Sequence, residues 1–374
     1  MRRFLPARVY AGAIFTCLIL AVFLLASCGR RSSSGNTPTA SQPTAEQPTA
    51  TSEQRPATVT ASPLPPSHTP VPFTQTATPS STPTSTPSST PSPTITFTPT
   101  PTPLVPNFPH IFLIILENKE FGTVIGPHRG MPNLNLWASE YTLLTQYYAI
   151  RHPSLPNYLA LIGGDTFGVD TDCNTCYQNA LTLPELIEAS GRTWKGYFED
   201  MPEPCYVGDT HIYVQKHNPF MYFDSIRLNV ERCQRSVVPL TQLNADLAAN
   251  DLPDFALIIP NLCNDAHDCS VEIADTWLDH WVPPLMHTQA YDEGALIALT
   301  FEEGQGEHTC CGLTTGGGRV AMILISNWVK RGFQDDTPYT HYSLLKTISA
   351  AWELPYLGHA ADESIVLIVK PWER

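Results

Sequence analysis

From residue 107 onward two hydrophobic patterns alternate along the chain. Short unbroken apolar runs occupy 111–116, 255–259, 295–301 and 320–326, each the length of a strand buried on both faces. Between them, 134–147, 183–190 after Thr182, 240–250 and 340–352 with Thr340 as cap read as helices. Strand and helix in alternation predict an α/β fold with a mostly parallel sheet covered on both sides.

The residues that follow each run carry the chemistry. The first run ends in Glu117-Asn118, the second leads through Pro260-Asn261 to Asp265-Ala266-His267-Asp268, and the third ends in Glu302-Glu303. In an open α/β sheet ligands bind beyond the carboxyl ends of the strands. If the strands are parallel, carboxylates, an amide carbonyl and a histidine converge on one edge and form an oxygen-rich site for a hard divalent cation. A hydroxyl is also at hand. In Arg151-His152-Pro153-Ser154-Leu155-Pro156-Asn157, two prolines bracket Ser154 on a constrained turn ahead of the apolar 158–162 run, which reads as a helix start. A serine needs a base or a metal to become a nucleophile, and the acids supply both routes.

The first hundred residues are of another kind. Arg2, Arg3 and Arg8 precede a mostly apolar run over 9–26, the pattern of an export signal. Leu25-Ala26-Ser27-Cys28 resembles the bacterial lipobox, which implies cleavage after residue 27 and lipidation of Cys28; the competing reading is an uncleaved anchor of about 20 residues. Residues 31–106 hold 18 of the 36 prolines and 33 Ser or Thr, too little apolar surface to offset chain entropy. The chain therefore divides into a signal peptide (1–27), a disordered Pro/Ser/Thr-rich tether (28–106) and one globular domain (107–374). At about 3.1 Å per residue the stretched tether reaches on the order of 200 Å. The expected address is extracytoplasmic, as a cell-surface lipoprotein held to the membrane by its N-terminal lipid.

Charge and cysteine content sharpen this picture. The globular part carries 15 basic and 33 acidic residues, a net of −18, which excludes a nucleic-acid binder working by phosphate neutralisation. It equally disfavours loose docking on anionic lipid. Eight cysteines remain outside the signal and Cys28: 173, 176, 205, 233, 263, 269, 310 and 311. In an exported protein these predict disulfides before zinc, with the pairing open.

Six segments taken in order carry a resemblance: Glu117-Asn118 after the first strand; His152 to Leu161; Lys216-His217-Asn218-Pro219-Phe220; Asn264-Asp265-Ala266-His267-Asp268; the acid pair after Thr300-Phe301; and Thr340-His341-Tyr342-Ser343-Leu344-Leu345. Together they resemble the bacterial phosphoesterase family of acid phosphatases, phospholipases C and secreted lipid phosphatases over roughly 108–356. The resemblance implies an alkaline-phosphatase-like three-layer α/β/α sandwich. It implies Ser154 as nucleophile next to one divalent metal ion, with Glu117, Asn118, Glu302 and Glu303 completing the metal shell. His217 and His267 would bond the phosphoryl oxygens and assist the leaving group, and His341 is a further catalytic candidate. Lys216 is the first candidate for substrate binding, with His152 and Asn157 beside it and chiefly positioning the Ser154 turn. One departure is visible, because the family usually has Asp where this chain has Glu302. An extra methylene moves a carboxylate by about one C–C bond in a site that needs placement within ~0.5 Å.

The activity so implied is metal-dependent hydrolysis of phosphoric monoesters through a phosphoserine, on small organic esters or phosphoinositide-like headgroups. Two alternatives stand beside it. One is a phospholipase C acting on diesters, whose family members are usually much longer. The other is an inactive surface binding protein, with Glu302 as the mark of decay. A sulfatase-like hydrolase is disfavoured, since Ser154-Leu155-Pro156-Asn157-Tyr158 lacks the arginine of that motif.

Overall fold

A computed structural model describes residues 103–373; the expected signal peptide, Cys28 and nearly all of the tether lie outside them. Val105, at the end of the stretch read as tether, is already buried in the core.

All four apolar runs form strands. In chain order the strands are β1 (Ile111–Leu116), β2 (Thr142–Tyr148), β3 (Trp194–Phe198), β4 (Val237–Pro239), β5 (Phe255–Ile259), β6 (Leu296–Phe301), β7 (Arg319–Ile325), β8 (Phe333–Asp335) and β9 (Tyr339–Thr340). They make one sheet in the order β4-β3-β5-β1-β6-β7-β2-β8, with β9 also paired to β2. Only β7 runs against the rest. Every residue of β1, β5 and β6 is buried, so both faces of the sheet are covered, as the unbroken runs require. The helix Pro132–Glu140 packs on Val271–Met286, and Ser154–Gly163 packs on His341–Ala351. The architecture is thus the expected α/β one with a mostly parallel central sheet.

Local chemistry explains the element ends. Thr182 and Glu185 form a reciprocal capping box at the start of Leu183–Ala189. The buried carboxylate of Asp275 accepts from the backbone N–H groups of Asn133 (3.1 Å) and Leu134 (2.9 Å), capping Pro132–Glu140 from the neighbouring helix.

Two expectations are corrected. The stretch 134–147 is not one helix: it is helical to Glu140 and then becomes β2, because Thr142, Tyr147 and Tyr148 favour a pleated surface and pair with β7. The helix expected from about 158 begins at Ser154 itself. The eight cysteines pair as 173–176, 205–233, 263–269 and 310–311. This answers Cys173 and Cys176 with a disulfide and not a zinc site.

Candidate active site

Register places the acids. In the parallel pair of β1 and β6, Leu116 stands opposite Phe301, so the next residues, Glu117 and Glu302, leave the sheet side by side. The Glu302 N–H still bonds the Leu116 carbonyl at 3.0 Å, and the Glu117 N–H bonds the Asp265 carbonyl beyond β5 at 2.9 Å. Asn118 takes a left-handed turn at φ +52°, which its short polar side chain tolerates. Its backbone N–H then donates to Glu302 Oε2 at 3.0 Å, and its amide to Glu117 Oε2. The first acidic pair and the late one therefore face a common point.

Ser154 comes to that point from β2. It is the first residue of the helix Ser154–Gly163 and is buried, with Oγ donating to Glu302 Oε1 at 3.4 Å. Asn157 holds the preceding turn. Its Oδ1 accepts from the N–H groups of Ile150 (2.9 Å) and Arg151 (3.2 Å), and its amide donates to the carbonyls of Arg151 (2.7 Å) and Pro153 (3.2 Å). With no exposed surface and its amide so committed, Asn157 is a positioning residue and does not face substrate. His152 is likewise a support: Nδ1 meets Glu303 Oε2 at 2.8 Å and Nε2 meets the Gly306 carbonyl at 3.1 Å. Glu303 is thereby paired with His152. Burial pushes Glu303 up to about 7 against the opposing pull of His152.

His217 lies buried between Glu117, which its Nε2 touches, and Asp265, whose Oδ2 is 3.5 Å from Nδ1. Its ring stacks on Tyr158 with centroids 5.4 Å apart. Burial favours the neutral ring, but the charges and hydrogen bonds of Glu117 and Asp265 together outweigh it and raise His217 to about 9. Both ring nitrogens thus face carboxylates. His267 sits exposed at the mouth, with Nδ1 on Asp268 at 2.6 Å and its ring 6.5 Å from that of His217. Lys216 bonds Asp172 at 2.9 Å.

His341 occupies a different place from the one expected. It is buried behind the acids, with Nε2 donating to the Glu302 carbonyl at 2.6 Å and Nδ1 accepting from the Tyr147 hydroxyl at 3.0 Å. Burial lowers it to about 4, so the ring is neutral at physiological pH. It fixes the backbone of Glu302 and touches no reacting atom.

Asp265, expected among the converging carboxylates but with no role of its own, flanks His217. Two contributors carry no expected role in the sequence. Asp172 accepts from the Leu155 N–H at 3.0 Å as well as from Lys216, from a loop with no periodic cue. Glu120 accepts from the N–H groups of Gln305 (3.1 Å), Gly306 (3.2 Å) and Arg319 (3.2 Å), tying the loop after β6 to the loop after β1. Gly304 makes this approach possible, since a Cβ there would overlap Glu120 Oε2.

The donor set suits a hard cation. Glu117 Oε1 and Asp265 Oδ2 are buried, make no well-formed hydrogen bond and face only the His217 ring. Burial, together with Glu117 and Glu303, drives Glu302 well above the usual carboxylate range. Added positive charge would relieve both conditions. Among the described residues no three His, Cys, Asp or Glu side chains form a ready cage, so neutral oxygens of Asn118 and Ser154 have to complete the set.

Fold and site together define an α/β protein with a buried acid cluster and a helix-start serine at the carboxyl edge of its sheet. The chain belongs to the phosphoesterase family, whose model matches residues 127–355. It is 36% identical over 263 residues to an acid phosphatase of Aspergillus fumigatus, covering 67% of this chain and 56% of that one. A phosphate-repressible acid phosphatase of Penicillium chrysogenum is 37% identical over 261 residues, covering 67% and 60%. The chain thus spans less than two thirds of the length of these two relatives. A phosphatidylinositol-3-phosphatase of Mycobacterium tuberculosis is 30% identical over 270 residues, covering 69% and 81%. Fungal as well as bacterial proteins are therefore among its relatives. Among solved structures, a protein of the alkaline phosphatase superfamily from Vibrio parahaemolyticus is similar with a TM-score of 0.49 at 11% identity, covering 72% of this chain and 75% of that one.

Proposed function

We propose that the domain hydrolyses phosphoric monoesters in two steps through a phosphoserine on Ser154. The observation that carries this reading is the meeting of the Ser154 hydroxyl with Glu302, 3.4 Å apart, where Asn118 and Glu117 also converge. Ser154 Oγ attacks phosphorus in line with the leaving oxygen, and its proton passes toward Glu302, the acceptor it faces. The Oγ–P bond forms as the bond to the alcohol breaks, and His267 at the mouth supplies a proton to the leaving oxygen. Water, giving its proton to His267, then displaces Oγ, which takes back its own proton from Glu302, and inorganic phosphate is freed. Glu117, Asn118, Glu302 and the Ser154 hydroxyl, with Glu303 as the further carboxylate, would hold one divalent cation. When bound it supplies Lewis acidity to the hydroxyl and neutralises phosphoryl charge. His217, charged and clamped by Glu117 and Asp265, adds positive potential from behind.

The identity with a phosphatidylinositol-3-phosphatase supports a lipid headgroup within the substrate class. Four disulfides fit an oxidising compartment, in keeping with export and lipidation at Cys28. The test uses purified protein on nitrophenyl phosphate and on nitrophenyl phosphorylcholine. Monoester turnover is expected, lost on chelation, restored by a divalent ion, and lowered about a thousandfold or more by Ser154→Ala. Diester turnover alone makes the domain a phospholipase C, and activity indifferent to Ser154→Ala removes the serine from its role.

A further inference from the structure

A cleft of about 390 Å³ opens beside the Ser154 turn, between Arg151, the loop segment 311–315, and Tyr342 with the chain around Ile365. We propose that it seats the alcohol part of the ester, and that Arg151 there takes a second anionic group of that alcohol. The substrate class is then a phosphomonoester that carries a further phosphate or carboxylate, on a soluble molecule or a lipid headgroup. This rests on the hydrolase reading above.

Proximity is set by the chain. Arg151 stands three residues before Ser154, so their Cα atoms are at most about 11 Å apart. The cleft wall and the acids also share one loop, which leaves β6 with Glu302 and Glu303, binds His152 through the Gly306 carbonyl, and returns to the Ile150 carbonyl through the Thr315 hydroxyl at 3.1 Å. The cleft and the acids thus flank the same turn before Ser154 and the same loop after β6.

Charge supplies the specificity. In a domain with so large an acidic excess, most cations near carboxylates are paired with them. Arg151 is not: among the described residues its side chain makes one hydrogen bond, from Nε to the His152 carbonyl at 3.3 Å. The acids on that side face His359 instead, with Asp362 Oδ2 2.9 Å from Nδ1 and Asp165 Oδ1 3.9 Å from Nε2. The remaining guanidinium donors form a planar fork suited to phosphate or carboxylate. Ile150, Leu313 and Ile365 around the Tyr342 ring offer apolar wall to the carbon frame of the alcohol.

The experiment compares kcat/KM for fructose 1,6-bisphosphate, for phosphatidylinositol 3-phosphate in phosphatidylcholine vesicles, and for nitrophenyl phosphate, which has no second anion. Arg151→Ala is expected to lower the ratio of either doubly anionic substrate to nitrophenyl phosphate roughly tenfold, and Arg151→Lys to restore part of it. A drop confined to the soluble or to the vesicle substrate identifies the natural source of the second anion. An unchanged ratio overturns the proposal. Calorimetric titration of Ser154→Ala protein with fructose 1,6-bisphosphate, with and without Arg151→Ala, is independent of turnover. If wild-type protein hydrolyses neither class, the hydrolase reading fails, and this titration alone decides the cleft: affinity lost with Arg151 supports it, and affinity unchanged rejects it.

Discussion

Asp172 joins two bonds that meet at the nucleophile. One carboxylate oxygen accepts from the Leu155 N–H and the other from Lys216, so a single side chain sets both the start of the serine helix and Lys216. Asp172→Asn keeps an acceptor for the backbone and gives up the charge that holds Lys216. We expect kcat to fall about tenfold through misplacement, while the thermal midpoint moves by no more than about 2 °C; parallel losses in both would make Asp172 merely structural. At this scale the sequence was informative wherever an acid directly follows a buried run, as Glu117 and Glu302 do. It was silent on Asp172, whose partners are 17 and 44 residues away in the chain. It also misjudged His341, because a helix-start histidine in a motif looks the same whether its ring points to substrate or to a neighbouring carbonyl.

The helix that carries Ser154 depends on how it stops. Gly164 ends it at φ +79°, and a Cβ there would overlap the carbonyl of Leu357, so both the left-handed conformation and the close backbone approach require glycine. Gly164→Ala should cost about 1–3 kcal/mol of stability, read from urea unfolding with the disulfides intact; a cost near zero would mean that the 357–358 segment yields freely. Strands buried on both faces were legible because nothing polar interrupts them. β3 was not, since Lys195 and Gly196 break its apolar run, and only pairing between β4 and β5 makes it a strand. The helix Val271–Met286 was hidden by Pro283 and Pro284, although its buried residues Ala274, Trp277, Leu278, Trp281 and Leu285 follow helical spacing. The 134–147 stretch misled because helix and strand abut there with a single residue, Tyr141, between them.

For the molecule as a whole, net charge and local charge oppose each other. The acidic excess repels an anionic substrate at long range, while the charged groups near Ser154 act only at contact. Salt separates the two, since the screening length shrinks from about 30 Å at 0.01 M to about 8 Å at 0.15 M. Over that range kcat/KM for fructose 1,6-bisphosphate should rise about two- to fivefold as repulsion is screened; a fall would mean that attraction dominates even at a distance.

The disulfides sort by span in a way that separates rim from core. Among the described residues three of them join cysteines 3, 6 and 1 residues apart, and only Cys205–Cys233 closes a longer loop, of 28. Short closures remove little entropy from the unfolded chain, whereas the closure at Cys205–Cys233 removes more and has Cys233 in the core. A reducing expression host therefore takes most from the 205–233 segment that leads into β4, and oxidation there bears on the core while the three short closures shape loops.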